Sequence, residues 1–562
     1  MTYSLVGQAA GSGSALVNAG HYEFLRTIQH FACGQLAEDS YSGTGNGTIR
    51  RRAVMSKTAP KETWTITCTA AATNGGTFSV TGSISGAQAA ATVGTFYDNG
   101  IISFLIVDGT IDFAVNDVFT LSTTNGIRTL YDDAYTGTGN GEILNLRLLD
   151  EVTETWTITC TAAATNGGTF SVTGSVSGAQ AAATVGVPYN NGIIKFLITD
   201  GVIDYAVNDV FTLKAKAQEL PAADRWLVKR WDDTTDNYEL IVEGPGIPGV
   251  GAVFCNFKTI QSVGGDYYNV ALSTSQGYTS SNAWSAQPNI DPKTSPMWNF
   301  NIPYWLRISP RQITFGTNIE ARYGLEQVGF FNALFDPTQY PYPALQFGSL
   351  DNESTTRYSN ETRNNGTKPT GTGNAATGTL SWIDSSIKDV EVYPVEASRY
   401  SDATYPIQSS QVNTLQSYTG TGNGSLLRYM GRENAPKETW TITATSATNF
   451  TVTGSISGAQ AAATVGTPYD NGIIEFEIVA GGTAFVSGDQ FVYVIGESYS
   501  LEPMELVVSG QGLVGNLEGI HWVTGHGQAV ENTIVDGNGD THIVIRDVSR
   551  TGFNDYATLI LD

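Results

Sequence analysis

The chain has 562 residues, of which 53 are acidic and 29 basic, and its formal net charge is -24. Such an acidic surface argues against nucleic acid or an anionic membrane as a partner. No segment approaches the roughly 18 apolar residues of a membrane span, and the N-terminus lacks a basic region ahead of an apolar one, so we predict no membrane insertion, no signal peptide and assembly in a cytoplasm.

The first predicted element is a helix in residues 1–39. Within ALVNAGHYEFLRTIQHFACGQL, the side chains with helical spacing on one face are Phe24, Leu25, Ile28, Phe31 and Ala32. An apolar stripe of this kind is typical of a helix packed on a core. We therefore assign 1–39 to the helical start of a larger host domain.

A module then occurs twice in tandem and once more downstream, at 40–125, 134–213 and 417–497. Each copy has short alternating segments such as TWTIT and IISFLIV, separated by Asn-Gly, Gly-Gly or Asp-Gly turns. This pattern predicts a small antiparallel β-sandwich. The overall prediction is a mainly β protein in which three modules are inserted into a mixed, mostly β host domain.

Each module opens with a glycine-rich loop, SGTGNG at 42–47 and TGTGNG at 136–141 and 419–424, and a truncated TGTGN stands at 370–374. Phosphate-binding loops need other glycine spacings and a helix behind them, whereas strands follow here. We therefore predict no phosphate site. Asn-Gly favours a tight hairpin turn instead, because both residues tolerate a positive φ.

The tryptophans of the repeated TWTIT segment, Trp64, Trp156 and Trp440, are the predicted core anchors of the modules. Cys68 and Cys160 occupy one module position at which the third copy has Ala444. A position that accepts alanine is a small apolar core site rather than a metal ligand or nucleophile. We expect both thiols to be buried and unbonded.

The host domain continues at 214–416 and 498–562 and is rich in aromatic residues. Such clusters usually form a core, but prolines in the Tyr-Pro-Tyr-Pro run at 340–343 exclude a regular strand interior. Exposed tyrosines in irregular segments are frequent interface anchors. The candidate subunit-interface residues are Tyr340, Tyr342, Phe330 and Phe331.

No catalytic, cofactor-binding or metal-binding constellation stands out, and we predict no enzyme activity and no cofactor. His521 and His526 lie five residues apart in a β-rich segment and should face opposite ways, which is poor metal-ligand geometry. The stretch DGNGDTHIVIRD at 536–547 approaches the offsets of a calcium loop, but Thr541 replaces the required glycine and Asp547 the bidentate glutamate. A hairpin turn explains this stretch better.

The order GTGNG, ETWTITCTA, GGTFSVTG, ATVG and a Tyr-Asn/Asp-Asn-Gly turn resembles the small immunoglobulin-like modules attached to virion proteins of tailed bacteriophages. The resemblance covers about 240 residues, and the host portion resembles, more loosely, structural proteins of the tail, collar or baseplate. The resemblance implies a virion protein that is assembled in the host cytoplasm. It also implies that the protein forms a symmetric homo-oligomer and that it binds other virion proteins. Alternatives are a capsid decoration protein and a receptor-binding or glycan-binding tail fibre-type protein, for which a host-surface glycan is a possible partner.

Overall fold

The structure is a computed structural model that describes the following residues: 3–9, 19–262, 267–275, 277–280, 282–288, 292–319, 322–334, 343–347, 350–351, 376–381, 387–394, 411–431, 436, 438–497, 500–508, 512–524, 531–536, 538–546 and 556–561. Its class is mainly β, as the sequence predicts, and the strands pair in antiparallel sheets. In the part of the chain described, no helix is long and apolar enough to cross a membrane.

The host begins with strand β1 (Tyr3–Ala9) and helix α1 (Gly20–Cys33). All five apolar residues of the predicted helix face are completely buried, which confirms that face. The helix ends at Cys33, and the capping residue Gly34 has a φ of 94°, which residues other than glycine rarely adopt.

Module 1 consists of two sheets that share one core. Its strands are β2 (Gln35–Ser42), β3 (Thr48–Val54), β4 (Thr63–Ala72), β5 (Gly75–Gly82), β6 (Gly86–Thr92), β7 (Phe96–Asp98), β8 (Ile102–Val107) and β9 (Val118–Thr124). The larger sheet has the order β2-β9-β4-β5-β6 and the smaller one β3-β8-β7. Trp64 and Ile66 of β4 point into the core between them, and the intervening threonine is exposed.

Modules 2 and 3 repeat this topology strand for strand. Module 2 comprises β10 (Gly126–Thr136), β11 (Ile143–Leu148), β12 (Glu154–Ala164), β13 (Gly167–Gly174), β14 (Gly178–Thr184), β15 (Tyr189–Asn190), β16 (Ile194–Ile198) and β17 (Val210–Glu219).

The host resumes after module 2 with β18 (Leu227–Asp232), β19 (Glu239–Ile247), β20 (Gly251–Ser262), β21 (Tyr267–Ser275), a 3₁₀ turn (Trp284–Ala286), β22 (Lys293–Pro296), β23 (Ile302–Ser309), β24 (Gln312–Ile319), β25 (Arg322–Phe330), β26 (Asn332–Ala333), β27 (Ala344–Phe347), β28 (Leu350–Asp351), β29 (Ala376–Ser381) and β30 (Ile387–Pro394).

Module 3 follows with β31 (Gln411–Thr419), β32 (Ser425–Gly431), β33 (Glu438–Ala444), β34 (Asn449–Gly454), β35 (Gly458–Thr464), β36 (Tyr469–Asp470), β37 (Ile474–Val479) and β38 (Gln490–Glu497). The host closes with β39 (Ser500–Val508), β40 (Gly512–Thr524), β41 (Thr533–Val535), β42 (Thr541–Arg546) and β43 (Tyr556–Leu561).

Two sheets build the host. One has the order β18-β19-β20-β21-β22-β28, and the other has the path β1-β23-β24-β25-β27-β29-β30-β39-β40-β43-β42-β41 with β26 joined to β40. Helix α1 shares one apolar core with strands of both sheets, whereas the C-terminal strands form a second core with other residues of the larger sheet.

The aromatic pair Phe330 and Phe331 belongs to these two cores. Phe330 packs in the core around α1, Phe331 packs in the second core, and both side chains are completely buried. Their prediction as subunit-interface residues is therefore wrong. The strand β25 that ends with Phe330 lies inside the large sheet between β24 and β27, so its rings serve packing within the chain.

The modules join the host in two ways. Modules 1 and 2 lie in tandem between α1 and β18, and their sheets extend over 35–124 and 126–219. Both modules begin before the predicted residues 40 and 134, and module 2 ends after the predicted residue 213. Module 3 lies between β30 and β39, which pair directly with each other in the host sheet. Its first and last strands pair from Gln411 with Glu497 onward, so both chain ends of the module leave it side by side.

Candidate functional site

The glycine-rich loop of module 1 surrounds a carboxylate from its own chain. Thr44 N–H donates to Oδ1 of Asp117 at 2.9 Å, and Gly45 N–H donates to Oδ2 at 3.0 Å. Ala114 N–H and the Tyr41 hydroxyl also donate to Oδ2, at 3.0 and 2.9 Å. Because this internal carboxylate uses the loop amides, they are engaged within the module and do not face an open phosphate site.

The same carboxylate is present in the other modules as Asp209 and Asp489, which accept the equivalent loop amides at 2.9 to 3.0 Å. Burial by itself raises the pKa of Asp489, but hydrogen bonds from three backbone N–H groups and the Tyr418 hydroxyl outweigh it and lower the pKa to about 2. The loop is therefore an anion-binding turn that holds a fixed internal anion.

The loop requires glycine because a core aromatic ring lies very close to its backbone. A Cβ atom on Gly45 would lie 2.9 Å from the ring of Phe113, and one on Gly47 would lie 2.2 Å from it. The ring packs in the module core, so the backbone of the loop lies directly against that core. This contact explains why the glycines recur in all three copies.

The prediction of a hairpin turn at Asn-Gly in this loop is wrong. The strands on either side, β2 and β3, belong to different sheets of the sandwich, and neither Asn46 nor Gly47 has a positive φ. Asn46 instead ties two loops together, because its Oδ1 accepts Ile111 N–H at 2.8 Å. The loop is a crossover between sheets rather than a hairpin.

A second buried carboxylate was not singled out from the sequence. Oε2 of Glu62 accepts the N–H groups of Ile84 and Ser85, both at 2.8 Å, and Glu154 and Glu438 make equivalent bonds in the other modules. The sequence does contain a signal for this carboxylate, because a glutamate lies two residues before the core tryptophan in every copy. Both recurring acids thus hold turns of the sandwich.

A bulged strand edge distinguishes the modules from one another. The pairing of β3 with β8 skips between Arg50 and Ala53, and equivalent skips occur at 144–147 and 427–430. We call residues 50–53, 144–147 and 427–430 the docking edges of modules 1, 2 and 3. Their sequences differ, whereas the surrounding framework is nearly identical.

The docking edge of module 1 binds the host. Nε of Arg51 donates to Oδ1 of Asp232 at 3.0 Å, and its Nη2 donates to the other carboxylate oxygen. Arg51 N–H donates to Oδ1 of Asp233 at 2.8 Å, and the Arg50 guanidinium donates to the Asp233 carbonyl at 3.3 Å. Burial raises the pKa of Asp232, but bonds from Thr234 and Arg51 bring it below its usual value.

The docking edge of module 2 binds module 1. The Arg147 guanidinium donates to the backbone oxygen of Glu38 at 2.8 Å, on the first strand of module 1. Lys61 of module 1 also pairs with two acids of module 2, Glu151 at 2.8 Å and Glu219. Since both modules use this edge for contacts outside their own sandwich, the bulge is the docking element of the module.

Two side chains in the docking edge of module 3, Leu427 and Arg428, are exposed. The side chain of Arg428 is 79% exposed, and its ion-pair partner among the described residues is Glu477 of the same module, at 3.8 Å. Leu427 beside it is 46% exposed. Arg428 nevertheless has the same left-handed backbone as Arg51, with φ of 52° against 51°.

A cleft of about 1570 Å³ lies where α1, module 1 and module 2 meet. Burial, followed by the charges of Arg26, Arg52 and Arg147, lowers the pKa of His30 in this cleft to about 3. Arg52 pairs with Glu38 at 3.4 Å, and the Glu38 backbone also accepts Arg147. Arg147 thus joins module 2 to module 1 at this cleft, and the pair of Arg52 with Glu38 lies within module 1.

The other predicted residues fall as follows. Trp64, Trp156 and Trp440 are completely buried, one in each module core. Tyr340 and Tyr342 lie outside the described residues. All four cysteines are buried and free, including Cys68 and Cys160.

The C-terminal histidine segment is arranged around a hairpin. Asp536 N–H donates to the Asp540 carbonyl at 3.0 Å between β41 and β42, as the sequence predicts for a turn here. His542 contacts Thr558 at 3.2 Å and Asp536 at 3.4 Å, and its ring lies 5.2 Å from that of His521. His526 and Asp547 lie outside the described residues. Within the described part, no group of three or more His, Cys, Asp or Glu side chains is placed to hold a metal ion.

Comparison with known proteins returned no matching family and no matching curated protein.

Proposed function

We propose that this protein is a non-enzymatic structural component of a tailed phage virion, in the tail, neck or baseplate region, that displays β-sandwich modules on a host domain. The observation that carries the proposal is the reuse of one sandwich three times, with the same topology and different docking edges. A repeated framework with variable contact residues suits a part that must fit several neighbours.

The recurring polar groups of the modules support a structural role. The carboxylates of Asp117 and Glu62 accept hydrogen bonds from backbone N–H groups of their own module, and their counterparts do the same. A catalytic carboxylate must instead reach a substrate. We therefore assign these acids to the stability of the sandwich.

The partners we propose are other virion proteins and further copies of this chain. Modules displayed on a symmetric oligomer would also bring several weak contacts to one surface, which raises avidity without a strong single site. The modules thus add contacts to those that the host domain makes in the assembly.

The test is to locate the protein in particles. Phage particles from a genome that encodes this chain should contain it by mass spectrometry, and antibodies against residues 411–497 should label one region of the intact particle in electron micrographs. Labelling of the tail, neck or baseplate is the expected result. Absence of the chain from particles, or labelling over the capsid, would contradict the proposal.

A further inference from the structure

We propose that the docking edge of module 3 binds a second copy of this chain, at the β10 edge of its module 2 around Asp133. This inference rests on the proposed assembly function and names the surface and partner for it. The argument begins with the two docking edges that are occupied within the chain.

Two occupied edges define what a docking edge recognises. Arg51 binds the carboxylate of Asp232, and Arg147 binds the backbone of Glu38. Asp232 accepts through its carboxylate and Glu38 through its backbone oxygen, and both residues lie on strands at the edge of a sheet, β18 and β2. The partner of a docking edge is thus an edge strand of a neighbouring sheet, and for the arginine of module 1 the acceptor is a carboxylate on that strand.

Module 3 offers a donor of the same kind. Arg428 lies within the same bulge as Arg51, in the same left-handed conformation, and Leu427 adds an exposed apolar contact. A left-handed backbone is energetically unfavourable at a residue other than glycine. In module 1 this conformation serves docking, so we assign docking to it in module 3.

Module 2 offers an acceptor of the same kind. Its first strand, β10, is again the edge of its sheet, and it bulges at Asp133 as β2 does at Asp39. Asp133 is exposed and lies 3.7 Å from Lys214. The first strand of module 3 has Leu415 and Gln416 at the corresponding place and lacks the acid.

Within one chain Arg428 pairs with Glu477 of module 3 and Asp133 with Lys214 of module 2, so we place the contact of Arg428 with Asp133 between two copies. The contact joins two different surfaces, which makes it heterologous, and repeated use of it closes a ring or extends a filament. A chain of net charge -24 repels its copies, and a cationic edge facing an acidic one supplies the local complementarity that association requires.

The test compares full-length variants by analytical ultracentrifugation over a range of concentrations. Wild type should self-associate, and Arg428→Asp and Asp133→Arg should each weaken association by at least tenfold. The double variant should recover most of the loss, because the reversed charges meet again across the interface. Ile456→Asp is the matched control, since it places a carboxylate at a residue of module 3 that is 70% exposed and lies in a turn away from the docking edge.

Each outcome decides the matter. Association that is unchanged in Arg428→Asp, or a double variant no better than the single ones, overturns this interface while leaving an oligomeric virion component possible. A wild-type chain that stays monomeric at all concentrations overturns the interface and also removes the oligomer from the proposed function.

Discussion

Single residues explain why each glycine-rich loop keeps its sequence. Asp489 arrives from a segment almost 70 residues downstream of its loop and accepts Thr421 and Gly422 at 2.9 Å. The glycines let the backbone approach both that carboxylate and the ring of Phe485. The loop therefore depends on a buried charge and on close packing at the same time.

The carboxylate gives a pH dependence whose sign follows from its pKa. Because the folded pKa of Asp489 is about 2, below its ordinary value, its stabilising effect is present above about pH 4 and is lost as the pH falls toward 2. In residues 411–497, Asp489→Asn should lower the stability near pH 6 and flatten its fall between pH 4 and 2. Denaturant unfolding at several pH values measures both. An unchanged pH slope in the variant would contradict the role of this aspartate.

Close packing gives a prediction with an internal control. A Cβ atom at Gly424 would lie 2.2 Å from the Phe485 ring and 2.4 Å from the Val479 carbonyl, whereas one at Gly482 would have its nearest contact at 4.0 Å. Gly424→Ala should destabilise module 3 by about 1 to 3 kcal/mol, and Gly482→Ala should change it by less than about 0.5 kcal/mol. Thermal unfolding of both variants measures the difference. Equal effects would show that close approach is not what selects glycine.

At the level of elements, the bulged strand decides how each sandwich meets its surroundings. Arg51, in the bulge of β3, binds Asp232 of β18. Arg147, at the bulge of β11, binds the backbone of Glu38 in β2. β-Bulges re-aim side chains and interrupt regular pairing. The same bulge, which has different residues in each module, thus lets one fold make different contacts with its neighbours.

Hydrogen exchange should detect the contact made by the first bulge. Arg51→Ala removes two bonds to Asp232 and should speed amide exchange in Thr48–Val54 and Leu227–Asp232 about threefold to fivefold, equivalent to about 0.7 to 1 kcal/mol. Arg428→Ala is the matched control, because its ion pair is long and exposed. In dilute protein it should leave exchange in β32 unchanged. Similar effects in both variants would contradict docking by Arg51.

The whole molecule combines two kinds of insertion. Modules 1 and 2 supply Ala53 and Ile127 to the core around α1, so the host is partly built on them. The two chain ends of module 3 leave side by side between paired host strands. Insertions whose ends lie together at a surface connection are the ones a host tolerates best.

We expect module 3 to be separable from the host. Residues 411–497 expressed alone should unfold cooperatively as a β domain, and a chain lacking them, closed by a short flexible linker, should keep its remaining structure. Deleting 35–219 should instead destabilise the host, because it removes part of the core around α1. Circular dichroism and denaturant unfolding of the three proteins provide the measurement. A disordered isolated module would contradict its description as a folding unit.

Much of this organisation could be predicted from local pattern. The threefold repeat, the alternation that buries Trp64 and Ile66 in β4, and the apolar face of α1 each follow from the spacing of residues near one another in sequence. Strand and helix periods are local properties, so a sequence displays them without knowledge of the fold.

Only the tertiary structure decided which distant groups meet. It brought Asp117 to a loop more than 70 residues earlier, turned an expected hairpin into a crossover, and enclosed Phe330 and Phe331 in two cores. It also gave Arg51 a carboxylate partner and left Arg428 exposed, although both lie at one position of the same repeat. The physical reason is that hydrogen bonds, ion pairs and burial depend on what the folded chain places nearby, which residue spacing along a strand does not specify.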